Sequence, residues 1–186
     1  MRTISGDRPI ALLATHDLSN SGAPRAAFDI ARALQKLKYT VVVVSQSDGP
    51  LRRDFEELGF EVVIDVRPQR KNRYLRDLAQ QAEIAVANTV ICAPIVAAWA
   101  PLVPTCWYLH VLSVLENLLR AGAIDEPLAN SARIWVGSEL CAKIVRKNRR
   151  DVIVMPYGVD PLEGSTIKTS GSLEIAVFGS IEPRKG

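Results

Sequence analysis

The chain has 186 residues, 48% hydrophobic and 23% charged, with a net charge of +3. That length suffices for one domain with a real core, and so small a net charge gives no reason to expect a nucleic-acid partner. Cys92, Cys106 and Cys141 form no C-x-x-C pair. They therefore point to neither a zinc site nor a disulfide framework, and their apolar settings suit buried thiols in a reducing, cytoplasmic environment.

Ile10–Thr15 opens the series of predicted elements as a buried strand. The polar loop THDLSNSGAPR follows, with His16, Asp17, Ser19, Asn20, Ser21 and Gly22 leading into a helix. Pro24 fits the first turn of that helix, where a missing N–H costs nothing. Ala27, Ile30, Ala31, Leu34 and Leu37 form its apolar stripe. Thr40–Ser45 is the next strand. Leu51, Phe55 and Leu58 mark a helix face ended by Gly59, and Glu61–Asp65 is a third strand. The run RPQRKNRYLRD then concentrates Arg67, Arg70, Lys71, Arg73 and Arg76. Such a run reads either as a solvated face or as a contact for an anionic membrane surface.

Glu83–Asn88 and Thr105–His110 continue the strands. Between them lies VICAPIVAAWAPLVP, which is shorter than the ~20 residues of a spanning helix and holds three prolines. Arg133–Gly137 and Val152–Pro156 complete the set. Ser138 is placed to cap a helix carrying Leu140, Ile144 and Val145, and RKNRR supplies a second basic cluster at Arg146, Lys147, Arg149 and Arg150. The strands are continuous apolar runs rather than alternating ones, the pattern of parallel strands covered on both faces. With helices between them, they predict a doubly wound α/β sheet of six or seven strands. Residues 161–172 are rich in Gly, Ser and Thr and read as a linker. LEIAVFGS, from Leu173, reads as the first strand of another domain.

In open α/β sheets ligands bind beyond the carboxyl ends of the strands. The loop after the first strand meets a helix N-terminus there, where N–H groups favour an anion; it is otherwise an ordinary polar surface loop. It lacks G-x-G-x-x-G, which disfavours a dinucleotide site. His110 directly follows a strand, so it can orient a hydroxyl or move a proton, or else close a loop structurally. Both histidines of the chain fall at strand ends, and His16, Gly22, Asn88 and His110 are expected to line one cleft. Gly158 in PYGVD permits a sharp turn, with Asp160 read as a hinge or cap.

Together ALLATHDLSNSGAPRAAFDIARALQKLKYTVVVVS, CWYLHV, IWVGSE, VIVMPYGVD and VFGSIEPRKG resemble the N-terminal half of family 4 glycosyltransferases, which have the GT-B fold. The resemblance implies two Rossmann-like domains facing each other across a cleft, the first holding the acceptor and the second most of a nucleotide-diphospho-sugar donor. It implies retaining sugar transfer to a glycan or lipid-linked acceptor, with no cofactor and no bound metal. By residue, it implies that Ser21 and Gly22 approach the donor diphosphate, together with Ser180 and Lys185 of the second domain. It makes His110 the catalytic histidine and gives His16, Asp17, Asn20 and Asn88 to the acceptor.

On this resemblance residues 1–160 are the acceptor domain, 161–172 the interdomain linker and 173–186 the first strand and phosphate turn of a truncated donor domain. The fragment alone is then expected to be inactive. The unpaired last strand would seek another sheet, for instance in a homo-oligomer, and the setting would be cytoplasmic, peripheral to the inner face of a membrane. The alternative is a non-catalytic α/β module that binds a nucleotide or a protein partner.

Overall fold

The computed structural model describes residues 8–66, 72–110 and 112–158. Arg67, Arg70, Lys71, Asp160, the linker at 161–172 and the segment 173–186 with Ser180 and Lys185 lie outside the described residues. Strands and helices alternate as β1 (Ile10–Thr15), α1 (Gly22–Lys36), β2 (Thr40–Ser45), α2 (Leu51–Glu57), β3 (Glu61–Ile64), α3 (Arg73–Gln81) and β4 (Ile84–Asn88). A short 3-10 turn (Val90–Cys92) and α4 (Ala93–Trp99) lead to β5 (Thr105–Leu109), followed by α5 (Leu112–Arg120) and α6 (Asp125–Asn130). Finally β6 (Arg133–Val136), α7 (Glu139–Val145) and β7 (Val152–Val154) complete the described fold.

The seven strands form one parallel sheet in the order β3-β2-β1-β4-β5-β6-β7. The chain winds outward from β1 to β3, then returns to place β4 on the other flank of β1. That reversal opens a crevice beyond the carboxyl ends of β1 and β4. The register brings those ends level, with Ala14 beside Ala87 and Asn88 beside Tyr108.

Burial on both faces explains the continuous apolar runs. Leu12, Ala14, Val42, Val44, Ala85, Ala87, Trp107 and Leu109 pack on one face with Leu75, Ile95, Val96 and Leu115. Ala11, Leu13, Val41, Val43, Val86 and Cys106 pack on the other beneath Ala27, Ala31, Leu34, Leu51 and Phe55. Phe28 meets Phe55 edge-to-face at 5.0 Å, an arrangement worth ~1 kcal/mol beyond the area it buries.

Local signals act as their chemistry dictates. Gly59 takes φ +83° just after α2, and the Ser138 hydroxyl accepts from the Cys141 N–H to cap α7. Leu37 departs from the expected stripe. The helix ends at Lys36, so Leu37 swings out and is 68% exposed. Arg149 departs from the expected charged face in the other direction. Its guanidinium donates to the carbonyls of Leu128 and Ser131 at the end of α6 and forks onto Asp151. This arginine closes a helix C-terminus and is unavailable to a membrane surface. Arg146 pairs with Glu139 at 3.1 Å.

Gly49, in the loop after β2, lets that loop lie directly on the loop after β1. A Cβ there would sit 2.4 Å from the Leu18 carbonyl oxygen. The Leu51 N–H donates to the same oxygen, so the two loops are fastened at the sheet edge. Among the described residues no helix is long and apolar enough to cross a membrane.

Candidate functional site

The loop after β1 is organised by short polar side chains. Thr15 donates its hydroxyl to the Asp17 carbonyl. One Asp17 carboxylate oxygen faces both the N–H and the hydroxyl of Ser19, and the other lies 3.4 Å from His16 Nε2. Ser19 Oγ is 3.0 Å from Ser21 Oγ, and Asn20 accepts from Arg25. Ser21 stands at the start of α1 in an extended conformation and makes no side-chain cap. No acidic residue occupies the first turn. A Cβ at Gly22 would meet nothing within 4 Å. The helix therefore presents its positive end with main chain that a ligand can approach closely.

Across the crevice, β4 and β5 end in a locked cluster. Asn88 is fully buried, and its carboxamide is engaged at both ends. Nδ2 donates to the Ala23 carbonyl in the first turn of α1 at 2.7 Å, and Oδ1 lies 2.9 Å from His110 Nε2. The Cys92 thiol donates to the Asn88 carbonyl. Thr89 follows with φ 82° and ψ 157°, a region that is essentially glycine-only and costs ~1–3 kcal/mol to hold. Its surroundings impose this turn. The Thr89 N–H donates to the Tyr108 carbonyl, and its own carbonyl accepts the Trp107 indole N–H at 2.8 Å. Among the described residues His16 Nδ1 is buried without a hydrogen-bond partner, and the Thr89 hydroxyl is buried beside the Cys92 thiol.

His110 sits just past β5, walled by Tyr108 at 5.0 Å and by Tyr157 edge-on at 5.4 Å. Gly137, after β6, lies against it: a Cβ there would be in contact with His110 Cβ at 3.4 Å. The Tyr108 hydroxyl donates to the Met155 carbonyl, tying this wall to the segment after β7. Burial, helped by the neighbouring His16, pushes His110 down to about 4. The ring is thus neutral at pH 7, able to give and take hydrogen bonds but not to act as a standing cation. Burial also pushes the Cys92 thiol up to about 12, so no thiolate is available there as a nucleophile. Among the described residues no group of three His, Cys, Asp or Glu side chains is placed to hold a metal.

The sheet edge therefore gathers His16, Asp17, Asn20, Ser21 and Gly22 on one side and Asn88 and His110 on the other. Thr89, Tyr108, Gly137 and Tyr157 belong to the same cluster and carry no signal in the sequence. Tyr157 lies in PYGVD, where the sequence points to Gly158 and Asp160 instead.

The model of the family described as Glycosyl-transferase family 4 matches residues 8–112. No curated protein matches the chain. Among solved structures, Anabaena Alr3699/HepE in complex with UDP and glucose is similar over 82% of this chain and 45% of its own, at 17% identity and a TM-score of 0.67. An alpha-glucosyltransferase in complex with UDP-glucose and DNA containing an abasic site is similar over 81% and 42%, at 14% identity and a TM-score of 0.53. At such identities the likeness is one of fold, and the chain spans less than half the length of these structures.

Proposed function

The chain belongs to glycosyl-transferase family 4 and has the Rossmann-like sheet of a GT-B N-terminal half, and from this we propose that it is the acceptor-side domain of a retaining glycosyltransferase. The enzyme would move a sugar from a nucleotide-diphospho-sugar to a glycan or lipid-linked acceptor. The observation that carries this reading is the facing of two unlike groups across the β1/β4 crevice. One is the uncapped start of α1 at Ser21 and Gly22; the other is a neutral, held His110. An anion-favouring helix end beside a hydrogen-bonding imidazole suits a substrate whose phosphate and sugar adjoin. The solved structures with UDP and glucose, and with UDP-glucose, support that donor class.

In this reading Ser21 and Gly22 approach the diphosphate, with Ser180 and Lys185 supplying further contacts from a second domain that starts near Leu173. Residues 1–160 form the acceptor domain and 161–172 the linker. His110 lies beside the reacting sugar, while His16, Asp17 and Asn20 face the acceptor. Catalysis rests on positioning and on stabilising the leaving diphosphate. Work on a lipid-linked acceptor would place the enzyme at the inner face of a membrane, with the basic run from Arg67 to Arg76 as its contact.

The test is release or transfer of sugar from a panel of nucleotide sugars by the protein carrying both domains. Replacing His110 by Ala is expected to lower the rate on the order of 10²-fold or more. An unchanged rate in that variant, or turnover of none of the panel, overturns the proposal. The 186-residue chain by itself is expected to bind these donors only weakly in calorimetry. A micromolar Kd would mean ~8 kcal/mol from this half alone and would contradict the division of labour.

A further inference from the structure

We infer that Asn88 is a positioning residue for His110 rather than a contact for the acceptor: it fixes the imidazole in the tautomer protonated on Nε2 and leaves Nδ1 as the nitrogen offered to a ligand. The inference rests on the reading of this edge as the sugar-transfer site. Its geometry stands independently of that reading.

The Ala23 carbonyl can only accept, so the Asn88 atom 2.7 Å from it is the amide nitrogen. That assignment orients the carboxamide by its network. Its oxygen then faces His110 Nε2 at 2.9 Å. A carboxamide oxygen can only accept, so Nε2 carries the proton. A neutral imidazole has one N–H, so Nδ1 keeps its lone pair. Nδ1 has no hydrogen-bond partner among the described residues.

The order runs from His110 Nε2–H to Asn88 Oδ1, and from Asn88 Nδ2–H to the first turn of α1. The imidazole is thereby referenced to the same helix end that faces the ligand. Asn88 is fully buried and its two polar atoms are both engaged, which leaves nothing of it to reach a substrate. The backbone supports the same role. The glycine-type turn at Thr89 is held by Tyr108 and Trp107, the two residues of β5 before Leu109 and His110. The Cys92 thiol secures the Asn88 carbonyl from the other side. An aspartate here would keep the acceptor for Nε2–H but would turn a second acceptor toward the Ala23 carbonyl. Alanine would remove both bonds.

The experiment is nitrogen NMR of the imidazoles in the 186-residue chain labelled with 15N-histidine, at neutral pH. The chain has two histidines, so His110→Gln assigns the spectrum. The wild type is expected to show His110 neutral, protonated on Nε2, with a slowly exchanging imidazole proton. Asn88→Ala is expected to lose that slow proton and to move the two ring nitrogens toward each other as the tautomers mix. Asn88→Asp is expected to restore the Nε2 proton and to raise the pH at which the ring becomes cationic. A wild-type ring protonated on Nδ1 overturns the inference without any variant, so a poorly folding Asn88→Ala does not shelter it. An Asn88→Ala spectrum identical to wild type overturns it as well. A chain that binds no nucleotide sugar would give the same spectra, so failure of the transferase reading is separately visible.

Discussion

The β1–α1 loop and the ends of β4 and β5 face one crevice, yet they are built on different plans. In the loop, short side chains bond to neighbours two residues away, and the start of α1 keeps its N–H groups uncapped. Across from it, Asn88 bonds to a residue 65 positions earlier and to another 22 later, and the backbone beside it sits in a costly conformation. The first wall is local and offers main chain. The second is assembled from distant parts of the chain and holds one ring in one protonation state. One wall can admit a ligand, and the other can hold a single group in place against it.

On the loop side a single methyl group costs most. Gly49→Ala would drive a Cβ into the Leu18 main chain. Denaturant unfolding is expected to show a loss of about 3 kcal/mol. A loss below about 0.5 kcal/mol would show that the loop side is as yielding where it packs as where it opens.

Acid titration sharpens the other wall. His110 is held neutral with its pKa depressed to about 4, against ~6.5 in an unfolded chain. Below pH 6.5 the unfolded chain takes up a proton that the folded chain refuses. The stability at stake is therefore fully present above pH 6.5 and is lost as pH falls toward 4. After discounting for the ring's partial exposure it amounts to about 2 kcal/mol. His110→Gln is expected to flatten the fall of Tm across that window. Asp151, lowered to about 2 by its Arg149 hydrogen bonds, loses its own contribution only at still lower pH, so the two windows separate.

Thr89 offers a smaller and cleaner contrast. Thr89→Ala removes the hydroxyl but keeps the strained φ, whereas Thr89→Gly removes both. The glycine variant is expected to be the more stable of the two by about 1 kcal/mol. Equal stabilities would mean that the surroundings carry no strain at this turn. The smallest change in stability is expected at Gly22→Ala, within about 0.5 kcal/mol, because nothing lies near the added methyl. If donor binding by the two-domain protein is unaffected as well, the close approach at α1 is refuted.

The sheet was legible because burial on two faces writes itself as unbroken apolar runs. Thr40–Ser45 and Ile10–Thr15 emerge with their predicted limits, and the other strands differ by one or two residues at an end. The helices α3, α4, α5 and α6 have no counterpart among the predicted elements. Pro94 and Pro127 each sit in a first turn, where proline is tolerated. His16 and His110 could be found at the edge since polar residues there interrupt strand ends. Thr89 could not, because nothing in the dipeptide Asn88-Thr89 signals a glycine-type turn. That turn follows from Tyr108 and Trp107 taking its N–H and carbonyl, which only the β4–β5 register brings together. Leu37 misled for the opposite reason: periodicity continues past a helix that has already stopped.

The indole of Trp107 turns the strained peptide after Asn88 into something that light can read. It is wholly enclosed, and its N–H rests on the Thr89 carbonyl, so its emission colour and its proton-exchange rate both depend on that one oxygen staying in place. With Trp99 and Trp135 replaced by Phe, the chain would carry one tryptophan, excited apart from the tyrosines at the red edge and wired to the crevice floor. Movement of the His110 wall on ligand capture would then be recorded optically, without an attached dye.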